Sequence, residues 1–312
     1  MSTFENAQHP SDSVVVVGVF DGVHGGHRAL IAQAHDIAQA RHLPLVAASF
    51  DPHPASVLRP DTFLGLLTLP SQRATLLEQA GADQVVFLQF DDHLRTMSAD
   101  DFVTSILLEQ LHAAVVVVGR NFRYGAKAAG DINTLIEMSH QLDFEVVPVD
   151  LVGDRDAWSS TRIRTAIIEG HVKAAGEMLG RPHRLTGEVV HGDHRGRELG
   201  YPTANIAVPH ELLVPGDGVY SALLEVAGET YPAAVSIGTN PTFDGVIGRR
   251  VEAFAIGQSG LDLYGHVANL DFIDFVRPMV AFAGIAELLA AMAHDVQVAS
   301  EHIVDFLDLQ AS

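Results

Sequence analysis

His24 and His27 stand three residues apart in Gly18-Val-Phe-Asp-Gly-Val-His-Gly-Gly-His27, a segment that leaves an apolar run and enters a helical pattern. Glycines in such a turn let a phosphate approach backbone N–H groups at a helix N-terminus, where the positive end of the dipole favours an anion. At a helix start, two imidazoles three apart can point the same way. Both could then donate hydrogen bonds to a phosphate whose charge grows during displacement. The segment has neither the Gly-Lys-Ser/Thr ending of a P-loop nor GxGxxG spacing. Three readings fit the residues alone: a tight turn in a chain with 17 histidines, a phosphate cradle, or a His-x-x-His metal site.

Three further segments carry chemistry in the first half. Phe50-Asp51-Pro52-His53-Pro54 is a proline-stiffened loop with an acid and an imidazole. Gly119-Arg120-Asn121-Phe122-Arg123-Tyr124-Gly125 mixes amide, guanidinium and aromatic groups between glycines. Ser159-Ser160-Thr161-Arg162-Ile163-Arg164 opens a helix with three hydroxyls and two arginines, which makes it both a good N-cap and a second anion cradle. In the second half, Thr203 and Asn205 are two apart, so an extended backbone puts them on one face. Their hydroxyl and amide oxygens are hard donors suited to Mg²⁺, although a surface loop with Pro and Asn turn chemistry also fits. Glu252, in Val251-Glu-Ala-Phe-Ala-Ile256, alternates onto the face of Phe254 and Ile256. A carboxylate on an apolar face is costly unless paired, protonated or solvated at a rim, and a general base is one such exception. The alternative is that Phe254 and Ile256 simply face outward.

These residues need elements to hold them. Val14–Val17, Leu45–Phe50, Gln84–Phe90, Ala114–Val118 and Glu145–Val149 read as buried strands. They alternate with helical patterns near 26–41, 71–80, 99–112 and 131–142, which predicts a Rossmann-like α/β domain with a parallel sheet and ligands beyond the strands' carboxyl ends. From about Leu185 short alternating segments recur at Thr186–His191, Val219–Val226, Ala233–Ile237, Val251–Ile256 and Val267–Phe275. They predict an antiparallel β-barrel, closed by a C-terminal helix whose stripe of Leu289, Met292, Val296, Ala299, Ile303 and Phe306 is read as packing. Gly180 and Pro182 place the domain boundary between 182 and 183.

Across 312 residues the formal charge is −20. Such a field repels nucleic acid and anionic membrane, so a phosphate site must be built locally. No apolar run approaches the roughly 20 residues that span a bilayer, and the first ten residues lack signal-peptide order. With no cysteine there is no disulfide or thiolate site. A cytoplasmic enzyme acting on small molecules is the expectation, with homo-oligomerisation left open.

GxFDGVHxGH at 18–27 with SSTxIR at 159–164 resembles the HxGH nucleotidyltransferases. With FDPHP and NFRYG added, the first half resembles the adenylyltransferase module of prokaryotic bifunctional riboflavin kinase/FAD synthetases. The second half resembles their kinase module through GEVVHGDHRGRELGYPTAN at 187–205, GDGVY at 216–220, GTNPTF at 238–243, Val251-Glu252 and DLYG at 262–265. The resemblance implies that riboflavin is phosphorylated to FMN by residues 183–312 and FMN adenylylated to FAD by residues 1–182, with ATP as co-substrate and Mg²⁺ as cofactor. It implies that Gly18, Phe20, Asp21 and Gly22 join His24, His27 and Asn121 at ATP, and that Ser159, Ser160, Thr161 and Arg164 do so from the helix. His24, His27 and Arg164 would assist adenylyl transfer, in which the FMN phosphate attacks the ATP α-phosphorus without a protein nucleophile. In the kinase it implies Gly192, Arg195, Thr203 and Asn205 at ATP, Thr203 and Asn205 on the metal, and Glu252 as base for the ribityl 5′-hydroxyl. His53, Asn121, Phe122, Asn240 and Glu252 are implied beside flavin. The chain departs from many relatives at Phe254 (His), Gly257 (Asp), Arg120 and Gly25. Two alternatives accompany this reading: a metal-dependent hydrolase using His24, His27 and His53, and a flavin-binding regulator without turnover.

Overall fold

Valines run without interruption through the first strand, and both of its faces are buried, as a central parallel strand requires. The computed structural model describes residues 12–150, 153, 158–191, 201–241 and 247–311, with side chains at 239–241 and 247–248 outside the description. Two compact units emerge, Met1–Ser159 and Ser160–Ser312.

In the first unit, β1 (Ser13–Val17), β2 (Leu45–Asp51), β3 (Gln84–Gln89), β4 (Ala113–Gly119) and β7 (Glu145–Val149) form a parallel sheet of order β3-β2-β1-β4-β7. Val14 and Val16 pack into a core on one face, and Val15 and Val17 into a core on the other. The short β5 (Arg123–Tyr124) and β6 (Gly130–Asp131) pair antiparallel. Helices α1 (Gly25–Arg41), α2 (Pro54–Leu58), α3 (Pro70–Gln79), α4 (Asp92–Thr96), α5 (Ala99–Asp101) and α6 (Ile132–Leu142) connect them. Asp131 caps α6 by accepting from Asn133 N at 2.9 Å and Thr134 N at 3.1 Å. The helix expected over 99–112 continues from α5 as a π-helix, Phe102–Gln110. Strand order reverses between β1 and β4, so the crevice that binds ligands in such sheets lies beyond their carboxyl ends.

The second unit opens with α7 (Ser160–Ile168) and α8 (Val172–Leu179), and α8 packs on two barrel strands. The boundary expected between 182 and 183 leaves residues 160–182 in the first domain; here they fall in the second compact unit, with α7 packed on α8. The barrel closes in the order β10-β11-β12-β9-β8-β13, from β8 (His183–Val190), β9 (Ala204–Ala207), β10 (Gly218–Val226), β11 (Glu229–Pro241), β12 (Ile247–Ala255) and β13 (Val267–Arg277). Val226 and Glu229 pair across a two-residue turn in which Ala227 and Gly228 take φ of 53° and 84°, the mirror-image turn that matches strand twist. The four-residue β9 has no counterpart among the predicted strands. α9 (Ile285–Ala311) packs on β10, β11 and β13. Its buried positions are Ala299, Ile303 and, unexpectedly, Asp295.

Candidate functional sites

The loop after β1 carries three positive φ angles in four residues: Phe20 at 51°, Gly22 at 83° and Val23 at 40°. Glycine adopts this region freely, while a β-branched valine is strained there. The strain is held by Asp21, fully buried, whose carboxylate accepts from Leu67 N at 3.0 Å and from Thr68 N and Oγ1 at 3.1 Å. Gly22 N donates to Thr68 Oγ1 at 3.1 Å. The acid of this motif therefore fastens the loop to the segment before α3, which aims the residues that follow it.

His24 is the N-cap of α1: its Nδ1 accepts from His27 N at 3.4 Å. A neutral ring accepting at Nδ1 carries its proton on Nε2. The two imidazoles stack with centroids 3.6 Å apart, and Phe20 meets His27 edge-on at 5.2 Å. The expected common direction of the pair is observed. Among the described residues, the buried His27 Nδ1 has no hydrogen-bond partner. Removal from solvent, then electrostatic interaction with His24 and with the Arg73 guanidinium, hold its pKa well below the ordinary imidazole value. A ring so held is neutral until an anion arrives to favour its protonated form.

Arg73, which the sequence reading missed, is fully buried on α3. Its Nη1 donates to Val19 O at 3.2 Å and Phe50 O at 3.0 Å, tying together the chain ends that leave β1 and β2. A buried arginine in a helical pattern has no signature separating it from a solvated one, so only packing reveals it. His53, also buried, caps α2 by accepting from Ala55 N at 3.0 Å and lies against Phe63 at 4.8 Å. Asn121 is exposed just beyond β4, and Phe122 stacks on Tyr124 at 5.5 Å. The segments at 18–27, 51–54 and 119–122 thus share the carboxyl edge of the sheet. Ser159 ends the first unit, while Ser160, Thr161 and the buried Arg164 lie on α7 in the second. Among the described residues no three His, Asp or Glu side chains converge as metal ligands, so the hydrolase alternative finds no ligand set at His24, His27 and His53.

In the barrel, β9 lies between β8 and β12, and Asn205 pairs with Val190 on one side and Glu252 on the other. The two polar residues singled out from distant parts of the sequence are therefore cross-strand neighbours. Val251, Ala253 and Ala255 are buried, whereas Glu252 and Phe254 occupy the half-buried face of β12. That face is neither bare surface nor core. It lines a pocket of about 530 Å³ with Thr203, Asn205 and Tyr201. Phe254 meets the Tyr201 ring edge-on at 5.2 Å. Arg250 Nη1 lies 3.4 Å from Glu252 Oε1. The alternation that exposes Glu252 applies equally to Arg250, which the sequence reading passed over. Leu288, Met292 and Val296 of α9 line the same pocket. The stripe assigned to packing alone also furnishes a wall. Asp295 holds this wall through Arg277, whose Nε and Nη2 donate to its two oxygens at 2.7 Å. Gly192 and Arg195 lie outside the described residues, as does the Asn240 side chain.

The family model for FAD synthetase matches residues 6–162, and that for riboflavin kinase matches residues 179–303. A bifunctional riboflavin kinase/FMN adenylyltransferase of Listeria monocytogenes is 36% identical over 288 residues, spanning 92% of this chain and 91% of that protein. The protein of the same name from Bacillus subtilis is 33% identical, with 94% and 93% covered. Among solved structures, a Streptococcus pneumoniae chain described as a macrolide-efflux protein superposes with a TM-score of 0.85 at 34% identity, over 94% of this chain and 95% of that one. Among the described residues here, no helix is long and apolar enough to cross a membrane. With both modules matched in the same order along nearly its whole length, the chain belongs to the bifunctional riboflavin kinase/FMN adenylyltransferase family.

Proposed function

We propose that the pocket between β9, β12 and α9 performs the kinase step and that the His24–His27 turn, with Ser159, Ser160, Thr161 and Arg164, performs adenylyl transfer. The observation that carries the first assignment is the pairing of Asn205 with Glu252 beside Thr203 in one pocket. Glu252 takes the proton of the riboflavin 5′-hydroxyl, whose oxygen attacks the γ-phosphorus of ATP and releases ADP. The hard oxygens of Thr203 and Asn205, next to a carboxylate, fit a magnesium ion. When bound, that ion neutralises phosphate charge. Apolar side chains from α9, with Phe254 and Tyr201, suit a flat aromatic ligand. Gly192, Arg195 and Asn240 are assigned here with the nucleotide and flavin.

At the other site the FMN phosphate displaces diphosphate from ATP, and catalysis rests on positioning and charge stabilisation. Backbone N–H groups at the start of α1, His24 Nε2–H and His27 receive the phosphates, and Arg164 adds a fixed charge. Gly18, Phe20, Asp21 and Gly22 shape the nucleotide side, while His53, Asn121 and Phe122 border the flavin. In function, residues 1–182 serve adenylylation and 183–312 phosphorylation, although α7 and α8 belong to the second compact unit. The reactions are assigned to the cytoplasm.

Chromatography of the flavins formed from riboflavin, ATP and Mg²⁺ tests both assignments. FMN followed by FAD is the expected result. FMN alone would remove the adenylylating role, and no product even from supplied FMN would leave a binding protein.

A further inference from the structure

The start of α1 has a neighbour that neither reaction accounts for. Gly25 is the first residue of α1, directly after the N-cap His24. A Cβ built on it would fall 2.2 Å from Trp158 Cζ3 and 2.5 Å from Cε3. No real side chain tolerates such distances, so the half-buried indole occupies the space that any residue but glycine would fill. Trp158 immediately precedes Ser159 in the chain. Its contact with Gly25 therefore ties the residue before this hydroxyl to the first turn of α1, the helix that carries the stacked imidazoles.

We infer that Trp158 is a positioning residue for adenylyl transfer: seated on Gly25, its ring registers the Ser159 segment against the His24–His27 turn, so that hydroxyl and imidazole groups meet the same phosphates. This rests on the reading of that turn as the nucleotide site. A flat, stiff side chain suits the task because it loses little freedom when ordered, and displacement of a binding group by about 1 Å can lower a rate a hundredfold.

The test measures FAD formation from FMN and FMN formation from riboflavin in the same full-length preparations. In Trp158→Ala the KM for ATP in adenylylation should rise by about tenfold or more, while the kinase KM for ATP is unchanged and reports an intact fold. Trp158→Phe keeps a planar ring and should recover most of the loss. Gly25→Ala should reproduce the Trp158→Ala defect by pushing the indole away. As Trp158 is the only tryptophan in the chain, that push should also shift the emission maximum to the red. In the double variant Gly25→Ala/Trp158→Ala the added methyl meets no ring, so the two effects should not add.

An unchanged KM for ATP in Trp158→Ala, or strictly additive losses in the double variant, would overturn the positioning role. Should Trp158→Ala fail to fold, Trp158→Leu answers the same question. Wild-type protein that makes no FAD would overturn the reading of the His turn itself, and this inference with it. Wild-type activity with an indifferent Trp158 would remove this inference alone.

Discussion

His27 shows how one side chain is tuned by what surrounds it. Its imidazole is neutral in the folded protein because burial, His24 and Arg73 all oppose its charge. The unfolded chain binds that proton more readily, so the folded state loses stability as the pH falls below about 6.5. Replacing the ring removes this dependence. His27→Gln should flatten the decline of Tm between roughly pH 7.5 and 5.5, and parallel melting curves for the two proteins would contradict a neutral, buried His27. Glu252 carries the opposite kind of assignment, one of chemistry over stability. Glu252→Ala should lower FMN formation by at least about a hundredfold while sparing FAD formation from supplied FMN. A kinase that still turns over would exclude it as the base. Asp21, by contrast, spends its carboxylate on the 67–68 backbone and Thr68. Its loss should act through the loop's geometry, on both KM and kcat of adenylylation.

Among the elements, α9 joins architecture to binding. It lies along three barrel strands and lines the pocket through Leu288, Met292 and Val296. The ion pair that anchors it is bidentate, with side-chain exposure of 22% at Arg277 and 7% at Asp295. Removing one partner of such a pair strands the other charge at a cost of about 3 kcal/mol. Asp295→Ala should therefore lower stability by that order in urea unfolding, and it should raise the KM for riboflavin by loosening the wall. A stability loss without any change in KM would mean that the pocket is held by β9 and β12 alone. β9 is short, yet it is the strand that joins Asn205 to Glu252. Four residues offer too little alternation to mark a strand in the sequence, where the spacing of Thr203 and Asn205 is the one sign of an extended backbone.

For the molecule as a whole, the charge of −20 opposes the approach of every substrate phosphate. Local groups must overcome a repulsive long-range field, and added salt screens the field more than the contacts. Raising ionic strength from about 0.01 M to 0.1 M should thus speed association of ATP, measured by stopped-flow with a fluorescent analogue. Slower association would locate a positive potential at the sites that outweighs the net charge. The two activities should also separate by variant, His27→Ala impairing FAD formation and leaving FMN formation intact, since Glu252 and His27 belong to different compact units.

Much of this protein is legible without coordinates. Strand periods of two, buried valine runs and helical stripes defined both layers, because burial dictates polarity residue by residue. The motif at 18–27 announced a helix N-terminus, since glycines followed by a helical pattern have few other uses. What the sequence could not supply was adjacency. That Asn205 lies beside Glu252, that Arg73 ties the ends of β1 and β2, and that Trp158 fills the space over Gly25 depend on contacts between residues 23 to 133 positions apart. Side-chain type constrains what a residue can do, but only the folded chain selects its neighbours, and here the neighbours decide whether a carboxylate fastens a loop or faces a pocket.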